Sequence, residues 1–353
     1  MFGNPSSSHW YGIQARKAVE TARKQVAALL NCDADEIVFT SGGSESNNLT
    51  IKGIAWSLQS RGKHIITSAI EHPAVMQVCR YLQNEGYEVT YVPVDEYGRV
   101  DPHDVETAIR PGTTISIMHA NNEVGTIQPI ADIADMAHQH DIVMHTDAAQ
   151  SVGKIPVRVS ELKIDLLSLA GHKCYAPKGV GALYIKRGTR LQKQIHGADH
   201  EHNLRAGTEN VPEIVGLGRA CELIQEDGEP ESERLREWRD LLQTGLQERI
   251  ANMRVNGHPE FRLANTLNVS FLNVEANTVL DQLNSIAASA GAACHADEVA
   301  VSPVLKAMGV PTEWAMGTIR LSVGRMTTRD QVNTAIQEMD RYGESASGAG
   351  DCH

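Results

Sequence analysis

The sequence predicts an α/β protein: a large domain built on a mostly parallel sheet, followed by a smaller α+β domain. Three observations carry that reading. Over residues 13–185, short apolar runs alternate with stretches whose apolar residues recur at helical spacing. Ser44, His72, Asn122, Asp147, Gln150 and Lys173 each fall just after an apolar run. In open α/β sheets, ligands bind beyond the carboxyl ends of the strands. Third, the acidic run 225–232 contains Gly and Pro and reads as a boundary. The expected domains are 1–230 and 231–345, with a polar tail over 346–353.

The elements follow in order. Gly3-Asn4-Pro5-Ser6-Ser7 is a turn-rich opening, and Ala18, Ala22, Val26 and Leu29 mark a helix over 13–30. The strand Ile37-Val38-Phe39-Thr40 runs into Ser41-Gly42-Gly43-Ser44, where the next helix opens. A strand, a Gly turn and a helix N-terminus form an anion site, because free N–H groups and the helix dipole both favour a phosphate. An ordinary capped helix start is the plainer alternative. Ile65-Ile66-Thr67 is the next strand, and Pro73 suits a first helical turn, leaving His72 at a strand-to-helix junction. Strands are expected over 89–94, 115–119, 142–146, 165–170 and 179–185, with an amphipathic helix over 130–140. The second domain should hold helices over 233–252, 276–285 and 328–342, a strand over 266–271, and a helix capped by Ser302 with Pro303 in its first turn. The strand over 318–323 puts Ile319, Leu321 and Val323 on one face and Arg320 on the other. The stretch 295–301 reads as irregular.

Bulk properties narrow the function. Of 353 residues, 41% are hydrophobic and 22% charged, as in ordinary globular chains. A net charge of −12 argues against nucleic acid or an anionic membrane as the main partner. No apolar run approaches the ~20 residues of a membrane span. No basic segment followed by an apolar core opens the chain, and its six cysteines are scattered without a Cys-x-x-Cys pair. Both features suggest a reduced, cytoplasmic setting.

Lys173 sits at the mouth of the turn Gly171-His172-Lys173, after a buried strand. Burying a lysine there is costly unless it is used, and a neutral lysine is a nucleophile toward carbonyls. Taken alone it reads more simply as a solvated surface residue. Asp147, in Thr146-Asp147-Ala148-Ala149-Gln150, ends another strand. A Lys and an Asp at adjacent strand ends are the two anchors of a pyridoxal 5′-phosphate (PLP) enzyme: a Schiff base and a partner for the pyridinium nitrogen. Cys294 has His295, Asp297 and Glu298 beside it. Such neighbours favour an accessible thiol over the commoner buried cysteine. Arg320 is suited to a bidentate grip on a carboxylate, or equally to a surface salt bridge. His196, His200 and His202 invite a metal reading, but they lie in a loop without the defined elements of zinc sites, and no metal is expected.

Together, Thr40-Ser41-Gly42-Gly43-Ser44-Glu45-Ser46-Asn47-Asn48, Glu71-His72, Asn121-Asn122-Glu123-Val124-Gly125, Asp147-Ala148-Ala149-Gln150, Gly171-His172-Lys173, Arg205-Ala206-Gly207-Thr208 and Ile319-Arg320-Leu321-Ser322 make the chain resemble a known family. It is that of the cysteine desulfurases and selenocysteine lyases, PLP-dependent enzymes of the class V aminotransferase group with fold type I. The resemblance implies a seven-stranded sheet and the following roles. Lys173 would form the Schiff base, Asp147 would face the pyridine nitrogen and Gln150 the phenolic oxygen. His72 would stack on the ring and relay a proton. Gly43, Ser44 and His172 would bind the phosphate, with Thr208 reaching in from the partner of a homodimer. Asn122 and Arg320 would hold the substrate carboxylate, Asn122 also contacting the cofactor. The implied reaction takes sulfur from L-cysteine, leaving L-alanine and a Cys294 persulfide for a sulfur-acceptor protein such as an iron–sulfur scaffold. The Gly-Ala-Ala-Cys-His neighbourhood suggests L-selenocysteine as an alternative substrate. A PLP-binding scaffold without turnover is a further alternative. The family's strand and Asn-Ala-Thr-Thr segment ahead of Gly-Asn-Pro would be lacking, and Ala170 stands where many members carry serine.

Overall fold

A computed structural model describes residues 2–283, 285–295 and 298–348. The chain forms two compact units: one of Met1–Pro93, Val100–Ala120 and Gln128–Gly228, the other of Val94–Arg99, Asn121–Ile127 and Glu229–His353.

The larger unit is built on seven strands: β1 (Ile37–Thr40), β2 (His64–Ser68), β3 (Glu88–Val92), β4 (Thr113–Ser116), β5 (Met144–Asp147), β6 (Leu166–Ala170) and β7 (Gly181–Ile185). Their order across the sheet is β1-β7-β6-β5-β4-β2-β3. Strands β2 to β6 pair in parallel, while β7 runs antiparallel to both β6 and β1. The carboxyl ends of β1, β2, β4, β5 and β6 therefore share one edge. Helices cover the sheet, so its strands read as continuous apolar runs; β6 is buried at all five positions. The helix Pro73–Asn84 packs Val75, Val78 and Leu82 against Ile65 of β2.

One polar crosslink runs through the middle of this core. His145 on β5 lies between Ser116 of β4 (2.9 Å) and Ser168 of β6 (3.0 Å). Burial pushes its imidazole down to about 3, so it is neutral. It pins the two strands that flank β5.

The smaller unit adds β8 (Met253–Asn256), β9 (Thr266–Phe271), β10 (Ser289–Ala290), β11 (Ala292–His295), β12 (Glu298–Val301) and β13 (Thr318–Ser322). A four-stranded antiparallel sheet has the order β10-β13-β9-β8, and β11 and β12 form a separate ribbon. Leu242, Leu246, Val332 and Ile336 pack on Leu267, Val269, Ile319 and Leu321 of the sheet.

Several expectations are corrected. The run 225–232, read as a boundary, lies inside one helix, Val211–Gln247, with Pro230 in its interior. Its flanking Glu, Arg and Leu residues are strong helix formers, and Pro removes only one intrahelical donor. The change of compact unit, between Gly228 and Glu229, falls within it. The helix expected over 276–285 is only Ala276–Leu280. The stretch expected to be irregular pairs as a ribbon, with Cys294 opposite Val299; Val299 and Val301 are natural strand residues. The closing helix extends to Gly348 rather than yielding to a tail, since no Pro stops it. Residues 349–353 of the expected tail lie outside the described residues. No described helix is long and apolar enough to cross a membrane.

Candidate active site

The carboxyl edge of the large sheet gathers the residues singled out in the sequence. Asp147 is the last residue of β5, opposite Ser168 of β6, and β6 leads directly into the turn Gly171–Cys174 that carries His172 and Lys173. Asp147 is 6% exposed. Its Oδ2 accepts from Asn47 Nδ2 at 2.7 Å, and its Oδ1 from the Ala149 N–H at 2.9 Å. Burial raises its pKa, against the pull of these two donors and of His72. Among the described residues, no Lys, Arg or His side chain forms an ion pair with this buried carboxylate.

The Gly turn lies alongside. Gly42 adopts φ +149°, open to glycine, and leads into the helix Gly43–Leu58. A Cβ on Gly43 would stand 3.2 Å from Ala170 Cβ at the end of β6. The first bond of that helix is Ser46 N–H to Gly42 O, 3.1 Å. The N–H groups of Gly43, Ser44 and Glu45 precede it, as an anion requires. Glu45 is held below the ordinary carboxylate range despite burial by Arg205 (2.8 Å) and Ser41.

Lys173 and His172 are exposed on their turn. The lysine is thus not desolvated at a strand end, as its position in the sequence suggested. The turn carries it past the buried end of β6, where a ligand can reach it. His172 is held below its ordinary value by partial burial, then by Lys173 and Lys178. Gln150 accepts from Lys154 Nζ through its amide oxygen (2.6 Å), which leaves its NH₂ to donate elsewhere. His72 caps the helix Pro73–Asn84, its Nδ1 accepting from Ala74 N–H (3.1 Å) with the ring exposed. Thr208 is exposed at a cavity of about 190 Å³ that Ser41 and Arg205 also line.

Two shallow clefts of about 380 and 580 Å³ lie at the opposite, amino-terminal edge of the sheet. Their cations are largely paired: Arg110 with Glu88, and Lys186 and His138 with Asp165. Ser44, His72, Asp147, Gln150 and Lys173 lie instead at the carboxyl edge.

In the smaller unit, Asn121 Oδ1 accepts the N–H groups of Glu123 (2.8 Å) and Val124 (3.0 Å), closing a tight turn around Asn122. Arg320 on β13 donates to the Asn122 carbonyl (2.9 Å) and to Ser289 Oγ (3.0 Å), and forms no salt bridge among the described residues. Its charge acts on the nearby Glu123 carboxyl without a direct ion pair. Cys294 lies on β11, but its side chain is outside the described part of the chain. Among the described residues, no three His, Cys, Asp or Glu side chains are arranged to hold a metal.

Sequence reasoning missed two supporting residues. Asn47, one helical turn after Gly43, faces inward and holds Asp147; its burial on the apolar side of that helix was the available signal. Glu71 received no role of its own. Its Oε1 accepts from Ser68 Oγ (2.6 Å) and the Met118 N–H (2.9 Å), joining the ends of β2 and β4. Burial chiefly, with a smaller push from Asp147, raises its carboxyl to about 8. The folded chain then binds a proton there that the unfolded chain has lost, so stability falls as pH rises from the ordinary carboxyl value to about 8. In the cofactor-free chain, Glu71→Gln should match wild type near pH 5. It should gain on wild type by ~3 kcal/mol near pH 8.5. Urea unfolding at both pH values checks this; a gain that does not grow with pH would refute it.

PLP suits this donor set. The buried Asp147 carboxylate complements a pyridinium, the Gln150 NH₂ can donate to a phenolate, and the Gly43 turn offers free N–H groups to a phosphate.

Comparison with known proteins agrees. Residues 1–334 match the aminotransferase class-V family. A cysteine desulfurase IscS of Dictyoglomus turgidum is 48% identical over 343 residues, 96% of this chain and 87% of that one. Among solved structures, a NifS-like protein superposes with a TM-score of 0.91 at 37% identity, covering 98% of this chain and 92% of its own. SspA in complex with cysteine gives a TM-score of 0.80 at 40% identity, covering 91% of each chain. The chain belongs to the aminotransferase class-V family.

Proposed function

We propose that this protein is a PLP-dependent cysteine desulfurase. The observation that carries the reading is the buried Asp147 at the end of β5, beside the β6 turn that presents Lys173. The named activity of its 48%-identical relative supports it.

Bound there, PLP supplies a carbonyl for amines and an electron-withdrawing ring. The chain's residues do the rest. Lys173 would hold the cofactor through its amine and would move the substrate's α-proton. Asp147 keeps the ring nitrogen protonated, and Asn47 holds the carboxylate in place. Gln150 would donate to the phenolic oxygen of the cofactor, and His72 would cover its ring. Gly43, Ser44 and His172 bind the phosphate, joined by Thr208 from the other subunit of a homodimer. Asn122 and Arg320 bind the substrate carboxylate. The Cys294 thiolate attacks the substrate sulfur. The Cβ–S bond of L-cysteine breaks with its electron pair left on carbon, an S–S bond forms on Cys294, Cβ takes up a proton and L-alanine leaves, with no external oxidant. The persulfide passes to a sulfur-acceptor protein, as iron–sulfur cluster assembly requires, in the cytoplasm.

The test is alanine release from L-cysteine plus a thiol reductant, with L-selenocysteine run beside it. Stoichiometric alanine and sulfide support the reading, whereas their absence from cofactor-loaded protein refutes it. Asp147→Asn should lower kcat/KM by about 10²–10³-fold, because a neutral amide cannot hold the ring nitrogen protonated. The unfolding midpoint of the cofactor-free chain should not fall, since the cost of burying a charge is removed. A variant within about threefold of wild type would remove Asp147 from this role.

A further inference from the structure

The ribbon that bears Cys294 is held at its base by residues outside it. Its pairing begins with Ala292 opposite Val301. Just below, the Ser302 N–H donates to the Gly291 carbonyl (3.1 Å), and the Gly291 N–H to the Thr318 carbonyl of β13 (2.7 Å). A Cβ on Gly291 would stand 2.8 Å from Thr318 Cβ, so only glycine permits this approach. Ser302 anchors the other strand. Its Oγ accepts the Val304 N–H as a helix cap (3.1 Å) and donates to Glu123 Oε2 at 2.5 Å. Glu123 follows Asn122, whose carbonyl accepts from Arg320. Burial raises the Glu123 carboxyl, with Ser302 and Arg320 opposing that rise. An acid in this position is costly unless it is used.

We propose that Glu123 is a positioning residue: through Ser302 it fixes the base of the Cys294 ribbon, and through Asn122 it ties that base to Arg320. The proposal rests on the desulfurase reading, which assigns Cys294 the sulfur and Arg320 the substrate carboxylate. Removing the Glu123 acceptor leaves the Ser302 hydroxyl without that partner. Without it, the ribbon base keeps only its main-chain bond and the helix cap.

The test is the rate at which iodoacetamide alkylates Cys294 in the intact chain, with and without PLP, read by peptide mass mapping. Glu123→Ala should speed alkylation about five- to tenfold, and Ser302→Ala should act in the same direction. Glu123→Gln, whose amide oxygen still accepts from Ser302, should restore the slow rate. In turnover, Glu123→Ala should lower kcat more than it changes KM for L-cysteine. The buried Cys79, Cys174 and Cys221 report global unfolding. If they are labelled in Glu123→Ala, the Ser302→Ala and Glu123→Gln rates decide. A wild-type rate in Glu123→Ala, or a Glu123→Gln rate equal to that of alanine, overturns the proposal. If wild type releases no alanine, the desulfurase reading falls, while the alkylation rates still decide whether Glu123 clamps the ribbon.

Discussion

Replacing Lys173 with alanine is expected to lower alanine release from L-cysteine by about 10⁴-fold, the upper range for removing a positioned proton-transfer group. Two functions go at once. The side chain is the only amine on the turn Gly171–Cys174, which directly follows β6, the neighbour of β5 and its terminal Asp147. On the proposed reading, the cofactor then loses its covalent anchor and the α-proton its base. The cofactor's absorption should change, and the cofactor should come off on gel filtration. Folding should be spared, because Lys173 is exposed and buries nothing on the turn. Activity within about tenfold of wild type would place the reacting amine elsewhere.

Replacing Cys294 with alanine should abolish sulfur transfer by a comparable factor, about 10³–10⁴-fold, but leave cofactor binding intact. The other described thiols cannot readily substitute. Burial pushes Cys79 up to about 12 and Cys174 up to about 11. Burial, then Glu36, Asp33 and Asp35, drives Cys32 up to about 12. Each stays protonated at neutral pH and is a poor nucleophile. Quantifying alanine, sulfide and protein-bound persulfide separates this variant from Lys173→Ala: here the absorption should still respond to L-cysteine. Persulfide formation at an undiminished rate would assign the sulfur to another group.

Much of this site was legible in the sequence because it is built on strand ends. A strand is a short apolar run, and the residue after it is fixed by counting. Ser44, His72, Asn122, Asp147, Gln150 and Lys173 could therefore be placed just after strands before any contact was known, although Asn122 falls in the smaller unit. The local signals at Ser302 and Pro303 were equally readable, since a cap depends on neighbours only two residues away.

What the sequence could not give was anything decided across the fold. Pairing of distant segments sets which strand lies beside which, so the antiparallel β7 between β1 and β6 had no local mark. The same holds for the proton on Glu71, the neutral imidazole of His145 and the grip of Asn47 on Asp147. Each depends on desolvation and on partners between 47 and 100 positions away, or on neighbouring strands. The helix through 225–232 shows the converse, a local breaker overridden by its surroundings. The sequence by itself determined the fold class and the family resemblance, because periodicity and motif are properties of neighbours along the chain. The tertiary structure alone decided which carboxyl is buried, which lysine is exposed and what holds the base of the Cys294 ribbon, because charge and hydrogen bonding answer to the distances between residues far apart in sequence.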